Sequence, residues 1–138
     1  MPYLALFAWS FLAATVLPLG SEPAVILMIR QDHSFFAVVI VATVGNYLGA
    51  CTTYGLGRAV SHALPQEHSS RAARRAADVV ARYGAPALVF SWVPIIGDAI
   101  VAAAGVARLR FRPFSIWTVV GKAVRYVLVA WGAKALIA

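Results

Sequence analysis

The sequence predicts an all-α integral membrane protein. Its expected plan is an inverted repeat of a re-entrant helical hairpin plus a transmembrane helix, with an interfacial amphipathic helix between the halves. Three observations lead there. The 138 residues are 62% hydrophobic and 12% charged, against about 45–50% and about 25% in an average soluble domain. Two apolar runs, residues 34–59 and 114–137, are long enough to cross a bilayer. Two shorter apolar stretches are each interrupted by proline, glycine and one acid. The length fits a single membrane domain. Repeat 1 covers residues 3–60, a linker helix 61–83 and repeat 2 residues 84–138.

The first element is the stretch 3–17, which is too short to cross comfortably. Residues 17–23, LPLGSEP, break it with Pro18, Gly20, Ser21, Glu22 and Pro23, and residues 24–29, AVILMI, are hydrophobic again. A soluble core would not want the break. A spanning helix would want neither the break nor the carboxylate. A segment that enters the bilayer, turns and leaves on the same side accounts for both. Non-helical backbone at depth is tolerated only where protein buries it or water reaches it, so the break predicts a polar cavity.

The run 34–59 follows. About 25 residues at 1.5 Å each reach about 37 Å, more than the hydrocarbon thickness. Gly45 and Gly49 form a G-x-x-x-G, which favours close helix packing. Asn46, at the midpoint, needs a partner in lipid. Residues 61–82 are polar and basic. Ala72, Ala73, Ala76, Val79 and Val80 recur at helical spacing, and Arg71, Arg74, Arg75 and Asp78 take much of the remaining surface. This reads as an amphipathic helix at the interface, either a solvated linker or a headgroup-binding element. Residues 84–93 and 99–107 are again two short apolar pieces, now around PIIGD with Pro94, Gly97 and Asp98. The run 114–137 is the second span, with Lys122 and Arg125 near its centre.

The two halves match. PLGSE (Pro18–Glu22) lies over PIIGD (Pro94–Asp98) at an offset of 76 residues. The same offset places Gly45 on Gly121, Asn46 on Lys122 and Arg58 on Lys134. Each copy crosses once, so the second enters from the opposite side, as in inverted-repeat transporters. Arg58, Arg71, Arg74, Arg75, Arg82, Arg108, Arg110 and Arg112 then share one side, and Arg30 and Lys134 the other. The heavy side should be cytoplasmic, with both termini outside.

Several function classes find no support. The net charge of +7 invites a DNA-binding reading, but that needs a soluble basic face, and no helix-turn-helix, zinc or RNA-binding pattern is present. No nucleic-acid partner is expected. Cys51 is the single cysteine, so no internal disulfide forms, and it reads as a small hydrophobe. His33, His62 and His68 lack metal-ligand spacing. No metal or other cofactor is expected. No nucleophile–base pair stands out, so an enzyme is not expected, and Ser21 beside Glu22 reads as a helix cap. The opening MPYLALFAWSFLAATVL lacks a positive n-region and is taken as part of the mature protein.

Four ionisable groups fall inside the membrane: Glu22 and Asp98 at the hairpin tips, Lys122 and Arg125 on the last span. Each costs about 2.5–3.5 kcal/mol at a helix centre, about 10 kcal/mol together before pairing. That is comparable to the whole stability of an ordinary domain, which makes the four functional candidates. The competing reading is that Glu22–Arg125 or Asp98–Lys122 pairs merely lock hairpin to span. The acids could also cap the helices that follow them, with Pro23 in the first turn. The same geometry lets opposed half-helix N-termini hold an anion or phosphate headgroup. Desolvation disfavours a buried carboxylate and a nearby cation favours it, a competition that suits Glu22 and Asp98 to proton coupling.

These residues carry a family resemblance. LPLGSEP followed by GNYLGACTTYGLGR resembles the first half of the DedA superfamily, also called the SNARE-associated Golgi protein or VTT-domain group. FSWVPIIGDAIVAAAGVARLRFRPFSIWTVVGKAVRYVLVAW resembles its second half. The pairing of P-x-G-S-E with F-S-W-x-P-x-x-G-D is closest to the small YqaA-like branch, and the resemblance runs from about residue 4 to 132. It implies paired re-entrant hairpins, movement or scrambling of lipids, including the return of undecaprenyl phosphate in bacteria, and dependence on the proton gradient. The family's hairpin acid falls on Glu22. Many members carry arginines around the second hairpin's proline, whereas Ser91–Asp98 holds none. Phosphate would then have to meet Lys122 or Arg125, or the cargo differs.

The expectation is therefore a lipid or lipid-phosphate transporter, flippase- or scramblase-like, in the bacterial inner membrane. Its partners would be a phospholipid or polyprenyl-phosphate lipid and protons. Glu22 and Asp98 would couple or gate, and Lys122 and Arg125 would meet the headgroup, with Asn46 lining the same cavity. The alternatives are a proton- or ion-coupled transporter of small solutes and a non-transporting scaffold. Two spans and two hairpins are little protein to seal a pathway, which suits a homodimer.

Overall fold

A computed structural model describes residues 1–15, 20–60, 71–93 and 96–137. In chain order its elements are α1 (Pro2–Thr15), α2 (Glu22–Arg30), α3 (Phe35–Val60), α4 (Arg71–Tyr83), a 3₁₀ segment (Ala85–Trp92), α5 (Ile96–Val106) and α6 (Phe111–Ile137). The described chain is all-helical, and α3 and α6 are long and apolar enough to span a membrane. Pro18 and Pro94 of the two sequence breaks lie outside the described residues.

The long helices carry their apolar bulk outward. Phe36, Ile40, Val44, Leu48 and Leu56 are exposed on α3, mostly four residues apart and so on one face. Ile116, Trp117, Val120, Val124, Leu128 and Trp131 are exposed on α6. Water would penalise these surfaces by about 25 cal/mol per Å²; hydrocarbon does not. The inward faces hold small and polar residues: Ala42, Gly45, Asn46, Gly49 and Ala50 on α3, Thr118, Gly121, Lys122 and Arg125 on α6.

Helix α1 packs along α3, and the 3₁₀ segment along α6. The second arms cross over: α2 packs on α6, and α5 on α3. The α1–α3 seam is as close as backbone allows. A Cβ at Gly45 would lie 2.7 Å from the Phe7 carbonyl oxygen, and one at Gly49 would lie 2.7 Å from the Ala14 Cβ. The G-x-x-x-G therefore serves packing, as its spacing predicts. On the α3–α5 seam a Cβ at Gly57 would stand 2.6 Å from the Ala102 carbonyl oxygen.

The two short helices end alike. At the end of α2 the His33 N–H bonds the Met28 carbonyl and the Asp32 N–H bonds the Ile29 carbonyl. At the end of α5 the Leu109 N–H bonds the Ala104 carbonyl and the Arg108 N–H bonds that of Gly105. Asp32 and Arg108 are left-handed, with φ of 59° and 56°. Both ends are Schellman caps, 76 residues apart, as are the first residues of α3 and α6.

The core divides in two. One apolar cluster joins Leu6, Val25, Met28, Val38 and Ala42 to Tyr126 and Ala130. The other joins Ala50, Tyr54, Leu88, Ile100 and Ala104 to Phe114. The start of α3 thus meets the end of α6, so the spans are antiparallel. Tyr54 stacks on Phe114 with centroids 4.2 Å apart and donates its hydroxyl hydrogen to the Leu109 carbonyl.

Two local expectations change. Helix α4 starts at Arg71, and residues 61–70 of the expected linker helix lie outside the described residues. Its Ala76 and Val80 are buried in the second cluster, against α5 and the 3₁₀ segment. That part of its apolar face is occupied by the bundle rather than offered to lipid. The short apolar piece 84–93 winds as 3₁₀ after Gly84, whose φ is 67°.

Candidate functional site

Between the two apolar clusters runs a polar layer. Thr43 and Asn46 come from α3, and Thr118, Lys122 and Arg125 from α6. Ser10 comes from α1, Ser21 from the residue before α2, and Ser91 from the 3₁₀ segment. All eight are buried. Thr118, Lys122 and Arg125 lie at i, i+4 and i+7, one face of α6. Gly121 on the same helix lets the 3₁₀ segment close in: a Cβ there would be 2.7 Å from Ser91 Oγ and 2.8 Å from the Val89 carbonyl oxygen. One apolar cluster lies on each side of the layer along the helix axes.

The fold brings Glu22, Asp98, Lys122 and Arg125 together in two pairs. Glu22, the first residue of α2, receives a hydrogen bond from Arg125 Nη2 in an ion pair. Asp98, in the first turn of α5, receives one from Lys122 Nζ at 3.5 Å. The partners differ in exposure. The Lys122 side chain is 0% exposed and that of Arg125 9%, against 39% for Asp98 and 26% for Glu22. The cations form the floor and the acids face the approach. Two anions and two cations leave the set neutral.

The capping roles offered by the sequence are not those found. Ser21 occupies the N-cap of α2 but makes no side-chain capping bond. Its hydroxyl is instead hydrogen-bonded to that of Tyr126, a fully buried residue beside Arg125. Glu22 lies inside the first turn with its carboxylate on Arg125. Helix α5 begins at Ile96, two residues before Asp98, so Asp98 is not an N-cap either. Each of the three side chains meets a distant partner on α6 instead of the local backbone: for the two acids an uncompensated buried cation would cost more than an open helix end, and for Ser21 the partner is the buried Tyr126 hydroxyl.

Asn46 is on the opposite wall. Its Nδ2 donates to the Ser10 carbonyl at 3.0 Å, so its partner is α1 and not a charged residue. Near the first break, Trp9 Nε1 reaches the Gly20 carbonyl at 3.5 Å. Pro23 falls in the first turn of α2, where its missing N–H costs nothing. Gly97 lies directly against the Ser91 carbonyl, leaving no room for a side chain. Among the described residues Ser10 Oγ, Thr43 Oγ1, Asn46 Oδ1, Ser91 Oγ and Thr118 Oγ1 are buried without a protein hydrogen-bond partner. Such atoms ordinarily meet protein or water, so the layer is suited to hold water or a polar group.

Sequence reasoning passed over Tyr126, Ser10, Thr43, Ser91 and Thr118. Tyr126 follows Arg125 directly. Thr43–Asn46 and Thr118–Lys122 also have the i+3 and i+4 spacing of one helix face, which was the available signal. Among the described residues no group of three or more His, Cys, Asp or Glu could hold a metal ion.

A family model described as the VTT domain matches residues 17–133. The chain belongs to the VTT-domain family, the DedA proteins. The matched span of this VTT-domain chain takes in Glu22, Asn46, Asp98, Lys122 and Arg125 and starts after the end of α1. The chain is 40% identical over 127 residues to the inner membrane protein YqaA of Escherichia coli K12, covering 91% of this chain and 87% of the relative. The Shigella flexneri protein of the same name matches to the same extent. An uncharacterized protein of Haemophilus influenzae is 39% identical over 130 residues, covering 88% of this chain and 81% of that one. No solved structure matches. With these relatives, its family and its two apolar spans, the chain is a multi-pass inner-membrane protein.

Proposed function

We propose that this VTT-domain protein moves the headgroups of anionic lipids across the inner membrane, as a flippase- or scramblase-like transporter coupled to protons. The observation that carries this reading is the pair of buried cations on one face of α6, each screened by a partly exposed acid from a different short helix. A lipid phosphate could replace either acid at its cation. The acid, once protonated, no longer competes. Undecaprenyl phosphate and the bulk phospholipids are the candidate cargoes, since both carry a phosphate on an acyl or prenyl tail that can stay in hydrocarbon.

In this reading α1–α2 and the 3₁₀ segment–α5 are re-entrant hairpins, related as an inverted repeat. Support comes from the offset of 76 residues, which relates the two acids, the two left-handed cap residues and the starts of both spans. The reciprocal packing of second arms on the other repeat's span supports it too. The protein is a transporter and not an enzyme in this account, since the layer offers paired ions rather than a nucleophile beside a base. A homodimer would widen the wall of so small a bundle.

The test is translocation of fluorescent lipids in reconstituted vesicles. Glu22→Gln, Asp98→Asn and Lys122→Met should each slow protein-dependent movement at least tenfold. Unchanged movement in all three overturns the proposal. The complete pairing of the four charges also favours a second reading, a scaffold in which the pairs only set helix register. Replacement of both members of each pair by apolar residues, with growth phenotype retained, would select it.

A further inference from the structure

The charge arithmetic of the polar layer bears on how movement is energised. The layer holds Glu22, Asp98, Lys122 and Arg125, with zero net charge. Glu22 faces Arg125, and Tyr126 beside that arginine is bonded to Ser21, the neighbour of Glu22; Asp98 faces Lys122 and, at longer range, Tyr126. The other packed elements supply neutral groups to the layer, Ser10 from α1, Thr43 and Asn46 from α3 and Ser91 from the 3₁₀ segment, while Arg71, Arg74, Arg75, Asp78 and Arg82 of α4, which packs on α5, are exposed outside it. Among the described residues no further ionised group stands in the layer to absorb an added charge, and the apolar clusters on both sides make an uncompensated one costly. An anion that arrives beside Lys122 or Arg125 therefore needs one acid neutralised for each charge it brings.

From the two ion pairs we infer that transport is electroneutral: one proton accompanies each net negative charge of the headgroup, up to two, taken up on Glu22 or Asp98. The inference rests on the transporter reading above and adds its stoichiometry and its selection by net charge. A monoanionic phosphodiester takes one proton and a dianionic phosphomonoester two. A zwitterionic headgroup brings its own cation and takes none. The step is a proton transfer and a non-covalent exchange: the proton enters from water onto the carboxylate, the freed cation accepts the phosphate, and both are released on the far side.

The experiment uses the full chain in vesicles, with acyl-labelled phosphatidylglycerol or phosphatidylethanolamine as probe, and reads the equilibrium distribution between leaflets. Vesicles without protein give the baseline. For phosphatidylglycerol a gradient of one pH unit, at zero clamped potential, should enrich the leaflet facing the alkaline side about tenfold. A clamped potential of 100 mV without a pH gradient should leave it unchanged. Movement of a bare monoanion would instead respond to that potential by about 50-fold, the equivalent of about 2.3 kcal/mol. Phosphatidylethanolamine should respond to neither. The double variant Glu22→Gln/Asp98→Asn, lacking both proton acceptors, should exchange the pH response for the potential response if it folds; the wild-type arms stand without it. Protein-dependent movement that follows potential and ignores pH overturns the inference, and with it the proton coupling of the proposed function, while leaving headgroup movement itself in place. Absence of any protein-dependent movement overturns both.

Discussion

Removing either half of the Asp98–Lys122 pair breaks the same 3.5 Å contact, but the residue left behind differs. Asp98→Asn strands Lys122, whose side chain is fully buried. Lys122→Met strands Asp98, which is 39% exposed and keeps access to polar surroundings. Breaking a buried pair by removing one partner costs about 3–5 kcal/mol. Asp98→Asn should fall in that range, since among the described residues the orphaned ammonium has no second acid in an ion pair with it. Lys122→Met should cost about 1–3 kcal/mol, the penalty of an unsatisfied group with partial solvation, offset by the apolar fit of methionine between α6 and its neighbours. The double variant Asp98→Asn/Lys122→Met should recover at least 1 kcal/mol relative to the sum of the singles. Equilibrium unfolding of purified protein in mixed micelles, followed by circular dichroism against denaturing detergent, reads all four corners of the cycle. The reasoning is refuted if Lys122→Met proves the more damaging single change, or if the cycle is additive within about 0.5 kcal/mol.

Other consequences follow from neighbouring contacts. Tyr126→Phe deletes the hydroxyl that holds Ser21 and leaves the Ser21 Oγ buried, so it should lower stability in the same unfolding assay by about 1–3 kcal/mol, and a loss below about 0.3 kcal/mol would mean the contact contributes nothing. Gly49→Val drives a side chain into the Phe11 carbonyl and the Ala14 Cβ and should destabilise by at least about 2 kcal/mol, in line with overpacking costs, visible as loss of folded protein on size-exclusion chromatography. Gly55→Ala meets nothing within 4 Å and should stabilise α3 by up to about 1 kcal/mol, a control measured as a raised unfolding midpoint.

The sequence made the long elements legible because their signal is local. The runs 34–59 and 114–137 differ from α3 and α6 by a few residues at most, since unbroken hydropathy over that length has few structural outcomes. Glu22, Asp98, Lys122 and Arg125 were legible as a set because charge in an apolar run is conspicuous. Their pairing was named as the competing reading, and Glu22–Arg125 and Asp98–Lys122 are the pairs that form; the reason was not local, since Glu22 and Arg125 stand 103 residues apart and meet because α2 crosses onto α6. Ser21 was misread for the same reason. A serine before a helix caps it unless a buried hydroxyl from elsewhere competes, and Tyr126 does. The 3₁₀ segment Ala85–Trp92 follows the left-handed Gly84, has a proline in its first turn and seats closely on Gly121, and the sequence reading took it only as a short apolar piece. The buried hydroxyls Ser10, Thr43, Ser91 and Thr118 were invisible singly, because each is a common helix residue, and became a layer only when four elements stacked them at one level.

The account depends most on where the two breaks sit relative to the bilayer. Nitroxide labels at positions 20 and 96, one at a time in a Cys51→Ser background and in nanodiscs, report depth through the ratio of oxygen to nickel-chelate collision rates. Both labels should read as buried in the inner half of the hydrocarbon, within about 8 Å of its centre in a core about 30 Å thick, because both flank acids paired to the middle of α6. Labels that read at headgroup level or in water would contradict the account directly.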